Sequence, residues 1–374
     1  MDISMKKGFN SEIYIPAIDG LRFLAILGVL LFHITNYIYQ NHSDQELQAF
    51  VKNIVLPITK YGRFGVELFF IISGFIITLS IENYKIKGSL VLLKTFYLRR
   101  LSRIFPPYFI IITCSLIFNL LFLNTLSVEN GVNSYLASIF FIHNLIYPGE
   151  FPFLSGAAWS LEIEIQFYFL APIFFLLFNG QTNYLKISLN LIFFLLFFIL
   201  NNIGYNVETK SLLNYGHYFI IGNILAFFNL RKNYIGKHYN VALITIIIIF
   251  IFIYILNIKY NNANSLIIVH KLFTLLIIFA SLYYILNLNK VKILTNKILT
   301  RIGKISYSIY LLNYPIIVLF GHSILSITIF KNYYFTLILF IVLFLAVIFF
   351  LSYIFYTTVE KPLKLLFLKP IKES

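Results

Sequence analysis

An arginine and a histidine eleven residues apart, Arg22 and His33, sit inside an apolar stretch, "IPAIDGLRFLAILGVLLFHIT" (15–35), that also carries Asp19. Ionisable groups in a membrane-length helix cost free energy, and those that occur there usually face a protein interior and act there. At about 1.5 Å and 100° per residue the two side chains share one helix face, with His33 roughly 16 Å further along. Imidazole accepts protons near neutral pH, and guanidinium binds phosphate or carboxylate through paired hydrogen bonds. Two acids lie in further apolar stretches, Glu67 in "FGVELFFIISGFIIT" (64–78) and Glu164 in "AAWSLEIEIQFYFLAP" (157–172). Three more arginines, Arg99, Arg100 and Arg103, crowd into "FYLRRLSRIFPPY" (96–108). Acid, imidazole and arginine of this kind fit a polar core with a basic mouth.

The elements that must position these groups are membrane helices. The 374 residues are 60% hydrophobic and 11% charged, with a mean hydropathy of +0.86. Long apolar runs recur from end to end, which predicts an all-α polytopic membrane protein. No strand-length alternation of the kind a membrane barrel needs is present. Ten spans are expected, near 18–40, 62–81, 104–124, 157–178, 185–203, 212–230, 241–257, 264–287, 302–328 and 333–356. Basic residues concentrate in every second loop: 82–103, with Lys85, Lys87, Lys94, Arg99, Arg100 and Arg103; 229–240, with Arg231, Lys232 and Lys237; and 288–301, with Lys290, Lys292, Lys297 and Arg301. Those loops are therefore expected on the cytoplasmic side, with both termini. On that topology His33, Glu67 and Glu164 reach similar depth in the outer half, and the arginine cluster marks the inner surface. The outer connection 125–156 is the longest, and its "YLASIFFIHNLIY" (135–147) is apolar but too short to span, which fits a re-entrant or interfacial segment.

The net charge of +15 lies in short loops between apolar spans, so it reads as a topology signal and not as a nucleic-acid footprint. The single cysteine, Cys114, builds neither a disulfide framework nor a thiolate metal site, and the seven histidines have no ligand spacing, so no metal is expected. The first span contains charge and is followed by no small-residue cleavage pattern, so it is expected to be retained. Each polar residue also has a plain structural reading. His33 fits a packed helix contact, Glu67 a pair with Arg63, and the arginines a headgroup belt. A saccharide or anion carrier or flippase would use mid-depth polar groups too. No inverted repeat and no pair of Gly/Pro-broken spans accompanies them here.

The order of these blocks resembles acyltransferase family 3, bacterial inner-membrane enzymes that move acyl groups onto cell-surface saccharides. "IDGLRFLAILGVLLFHI" (18–34) is similar to the opening signature through Arg22 and His33, and 64–78 resembles the second block, with Glu67 where the family more often has Asp. Arg100 and Arg103 match a pair of arginines three apart, and Trp159, Ser160, Glu164, Phe167 and Tyr168 match the Trp-Ser-Leu block. "IGKISYSIYLLNYPI" (302–316), with Tyr310 and Asn313, and "TTVEKPL" (357–363) resemble the closing blocks. Asn313 stands where the family usually shows His, and Asn cannot take up a proton at neutral pH.

The resemblance implies one transmembrane acyltransferase domain over 1–374, without the fused extracellular domain that many members carry, in a bacterial cytoplasmic membrane. It implies transfer of an acyl group, usually acetyl, from cytoplasmic acetyl-CoA or another acyl-CoA to a hydroxyl of a saccharide or lipid-linked glycan. His33 would act as general base or acyl relay, with Glu67 and Glu164 orienting it or the acceptor. Arg22, Arg99, Arg100 and Arg103 would hold the donor. Asp19, Trp159, Ser160, Tyr168, Tyr310 and Asn313 would line the substrate side or support it. A differently folded membrane acyltransferase built on a His and Asn pair fits the surrounding motifs poorly. A small-molecule acceptor stays open beside the glycan.

Overall fold

A computed structural model describes residues 14–84, 89–123, 127–178, 183–202, 210–230, 274–276, 278–283, 291–327 and 332–372. It contains helices and connecting turns, with no strand among the described residues. Five helical stretches are long and apolar enough to cross a membrane by length and composition: Pro16–Asn41, Gln45–Glu82, Phe96–Phe122, Ser306–Leu325 and Tyr333–Phe367. The fold of the described residues is all-helical, with stretches suited to a membrane. The expected span 241–257, most of 264–287, the basic loop 229–240 and the extreme termini lie outside the described residues.

Helix α1 (Pro16–Asn41) opens on a proline in its first turn and carries Asp19 there, where a missing N–H is harmless and a carboxylate is favoured by the helix dipole. Short helical turns over 45–64 lead back into α2 (Gly65–Tyr84). Then come α3 (Ser89–Phe118), α4 (Val128–Ile139), α5 (Trp159–Phe178), α6 (Asn183–Asn202) and α7 (Leu212–Leu230). Beyond them are α8 (Lys297–Lys304), α9 (Ser306–Leu325), α10 (Tyr333–Phe355) and α11 (Lys361–Lys372).

The contacts fix the relative direction of the helices that matter. Phe70 meets Tyr215 and Phe219, and Thr78 bonds Asn223, so α2 and α7 run the same way. Phe70 also meets Trp159, and Ser73 bonds Glu164, so α5 runs with them. The N-terminal ends of α2, α5 and α7 therefore share one end of the bundle. In a bilayer, helix association rests on close packing more than on hydrophobic burial, and small residues permit it. Gly74 and Gly222 serve that purpose, because a Cβ at either would overlap the main-chain carbonyl of Phe219 or Ile71 on the facing helix. Phe167 and Phe219 stack at 4.2 Å beside this seam.

Two expectations are corrected. Arg99, Arg100 and Arg103 do not lie in a loop before a span starting at 104, because α3 runs unbroken from Ser89 through them. Leucine, lysine and arginine are good helix formers, so the helix extends past the end of its apolar run. The expected span 302–328 is two helices, α8 and α9, broken at Ile305, whose φ of −95° and ψ of 10° leave the helical region. Within the 125–156 connection, α4 and the turn His143–Ile146 form helix too short to span, with Val128, Leu136 and Phe140 exposed.

Candidate active site

Arg22 of α1, Ser73 of α2, Arg100 and Arg103 of α3, Ser160, Glu164 and Tyr168 of α5, and Tyr310 of α9 line one cavity, of about 70 Å³. Helical spacing explains the convergence. Ser160, Glu164 and Tyr168 recur every four residues on one face of α5, and Arg100 and Arg103 are three apart on α3. Arg22 is ion-paired to Asp19 at 3.2 Å. Glu164 accepts two hydrogen bonds on Oε1, from Ser73 Oγ at 2.7 Å and from Tyr168 Oη at 2.5 Å. Arg100 donates to Ser80 Oγ at 3.1 Å and lies 5.9 Å from the Tyr168 ring centre. Arg103 stands within electrostatic reach of Glu360, Glu164 and Asp19, yet donates no hydrogen bond to any described residue. Glu360 is buried and accepts from Ser308 Oγ. Three guanidinium groups and three carboxylates thus share this end, with the Arg103 fork open toward the cavity.

A second part of the cavity wall carries a fixed chain of hydrogen bonds. Tyr310 Oη donates to the Ala157 carbonyl at 2.7 Å, so the 2.7 Å contact between Ser160 Oγ and Tyr310 Oη must be donated by Ser160. The Ser160 proton is thereby committed. One turn along α9, Asn313 is fully buried and its Nδ2 points at the Tyr310 and Ile309 carbonyls, at 2.6 and 3.4 Å. Carbonyls only accept, so the amide cannot be turned the other way, and Oδ1 faces His33 Nδ1 at 2.7 Å. An amide oxygen also only accepts, so His33 carries its proton on Nδ1. Its Nε2 is left with a lone pair. An imidazole held in one tautomer by a buried partner is what a general base requires.

The remaining predicted residues lie elsewhere. Glu164 is gathered with the arginines and not with His33, whose side-chain partner is Asn313. Glu67, in the first turn of α2, does not line the cavity, and its buried Oε2 has no partner. Arg99 is outside the cavity lining. Trp159 packs on Phe70 and Tyr215 at 6.4 and 5.3 Å between ring centres. Among the described residues no group of three or more His, Cys, Asp or Glu could hold a metal ion. Sequence reasoning missed Ser73 and Glu360. A hydroxyl beside Gly74 in an apolar helix was the available signal for the first, and a glutamate in a quoted closing block for the second.

Comparison with known proteins follows the same pattern. A family model for an acyltransferase domain matches residues 15–357. The chain is 31% identical over 349 residues to the O-acetyltransferase OatA of Staphylococcus aureus, covering 85% of this chain and 53% of that protein. It is 30% identical over 191 residues to the peptidoglycan O-acetyltransferase OatA of Listeria monocytogenes, covering 49% of this chain and 27% of that protein. A putative O-acetyltransferase of S. aureus is 28% identical over 350 residues, 83% of this chain and 52% of its own length. The chain spans about half the length, or less, of these curated relatives. No solved structure matches.

Proposed function

The chain belongs to the acyltransferase family defined by that domain, and from that premise we propose that it is an O-acetyltransferase. It moves an acetyl group from a cytoplasmic acyl-CoA to a hydroxyl of a cell-envelope saccharide, free or lipid-linked, across a bacterial cytoplasmic membrane. The proposed topology has ten spans with both termini inside and one transmembrane domain. The relatives' names support acetyl transfer, and one of them names peptidoglycan as the acceptor. The observation that carries the reading is His33, held in the Nδ1–H tautomer by Asn313, whose amide bonds the carbonyl of Tyr310 in the wall of an arginine-lined cavity.

The arginine end fits the phosphates of such a donor: Arg22 and Arg100 hold the cavity wall, and Arg103 offers its planar fork. Glu164 positions this end by fixing Ser73 and Tyr168. Arg99 adds charge at the approach. The donor supplies an acyl group activated as a thioester. His33, about 16 Å along α1 from Arg22, takes the proton of the attacking hydroxyl on Nε2 as the new ester bond forms. It returns that proton to the sulfur as the carbon–sulfur bond breaks. Asn313 cannot accept a proton, so it orients His33 without sharing its charge. The same Nε2 lone pair would serve if His33 carried the acyl group itself in a two-step relay. Ser160, with its proton committed to Tyr310, supports the wall and is not the nucleophile. Asp19 restrains Arg22.

The test is transfer of label from acetyl-CoA to envelope glycan in membranes containing the wild-type chain or His33→Ala at equal folded yield. Label on glycan only with His33 intact supports the proposal. Equal transfer by both proteins refutes the role of His33. No transfer by either protein refutes the activity.

A further inference from the structure

Outside the cavity, at the shared N-terminal end of α2, α5 and α7, aromatic rings form a lane that the mechanism above does not use. Trp159 and Tyr215 lie 5.3 Å apart between centres, both half-buried, and both pack on Phe70. Phe70 in turn lines the cavity together with Ser160, the residue next to Trp159. Lys210, just before α7, sets its ammonium 3.3 Å from the centre of the exposed Phe151 ring and 6.0 Å from that of Trp159. No described carboxylate pairs with it. A partly buried ammonium held only by ring faces has cation–π attraction but lacks a counter-ion.

We propose that this lane is the acceptor subsite and that it takes a saccharide bearing an anionic substituent. A pyranose presents a face of axial C–H bonds that stacks on one of the two rings, Trp159 or Tyr215, while the other, tilted 51° to it, flanks the sugar, and Lys210 supplies the charge complement for a carboxylate or phosphate on the sugar. Phe70 joins the lane to the cavity. A girdle of aromatics turned toward lipid would not wrap a lysine between rings or abut Ser160. This inference rests on the acetyl-transfer reading, since the occupant is that reaction's acceptor.

Trp159 is the only tryptophan in the chain, so intrinsic fluorescence of the purified full chain in neutral detergent reports on the lane directly. The probes are chitotetraose, the carboxylate-bearing disaccharide of N-acetylglucosamine and N-acetylmuramic acid, glucosamine 6-phosphate, and phosphatidylglycerol in mixed micelles. The expected result is a saturable change of Trp159 emission with sugars, tightest for an anionic one. The carboxylate and phosphate probes identify which anion is preferred. Lys210→Gln should weaken anionic-sugar binding about tenfold or more, the range for a hydrogen bond to a charged group, and leave chitotetraose binding unchanged. Emission unmoved by every sugar while acetyl transfer proceeds would overturn the subsite and leave the activity standing. A response to phosphatidylglycerol alone would overturn it in favour of a headgroup site. Sugar binding without any acetyl transfer would refute the activity and, with it, the assignment of the lane as an acceptor subsite.

Discussion

Replacing Asn313 with leucine is the sharpest perturbation of the proposed base. Leucine matches asparagine in side-chain branching and heavy-atom count, but its methyls cannot sit at the 2.6–2.7 Å of the lost hydrogen bonds in this fully buried place, so the comparison is made at equal folded yield. The Tyr310 and Ile309 carbonyls that lose the amide are helix carbonyls of α9 and keep their main-chain role. What disappears is the acceptor 2.7 Å from His33 Nδ1. Either Nδ1–H is left unsatisfied in a buried site, or the proton moves to Nε2 and the base is lost. An unsatisfied buried donor costs about 1–3 kcal/mol, which as lost stabilisation of the reactive tautomer lowers kcat by about 5- to 150-fold. Arg22 lies roughly 16 Å from His33 along α1, and Arg100 and Arg103 line the cavity with Arg22 while Asn313 does not, so KM for the donor should hold. Asn313→Asp should fare worse in folding, because a carboxylate oxygen would face the Tyr310 carbonyl. The assay is steady-state transfer of labelled acetyl with separate donor and acceptor titrations. Wild-type kcat in Asn313→Leu, or a rise in donor KM at constant kcat, would refute the orientation argument.

Three further outcomes are expected. Arg103→Lys keeps the charge beside Glu360 and removes the planar fork, so donor KM should rise about tenfold with little change in kcat, as a donor titration will show. His143, in the 125–156 connection, is fully buried with neither ring nitrogen bonded, and burial, helped by Lys210, pushes it down to about 4. Its folded value lies below the unfolded one near 6.5, so the unfolded chain binds more protons between them. Thermal stability in detergent should therefore fall as pH drops from about 6.5 toward 4, and His143→Leu should flatten that slope. Gly74→Ala should push α2 off the Phe219 carbonyl of α7 and sharply reduce folded yield, measured by size-exclusion profile, while a nearby surface substitution such as Leu24→Ala should not.

Apolar periodicity and length carried the helices well where a single helix fills a span. The expected 212–230 and the observed α7 coincide, and 18–40 differs from α1 by only a few residues. The method failed where charge and helix coexist. Arg99 to Arg103 were placed in a loop because an apolar window ends at charge, whereas a helix does not. A backbone break at Ile305 leaves hydropathy unchanged, so the division between α8 and α9 was invisible. Of the site, Ser160, Glu164 and Tyr168 were legible through the family resemblance of their block, and their four-residue spacing puts them on one helix face. The pairing of His33 with Asn313 was not, since 280 residues separate them and only tertiary packing joins α1 to α9. Estimating depth put Glu164 level with His33, but depth says nothing about azimuth, and α5 turns Glu164 toward Ser73 and the arginines.

The central claim is that donor and acceptor reach opposite ends of one site. Sealed proteoliposomes test it most directly, with labelled acetyl-CoA on one side and a soluble glycan on the other. Transfer is predicted when the two are in opposite compartments, and none above background when they share one, whichever way the protein is inserted. Transfer that requires both reactants in the same compartment would contradict the account.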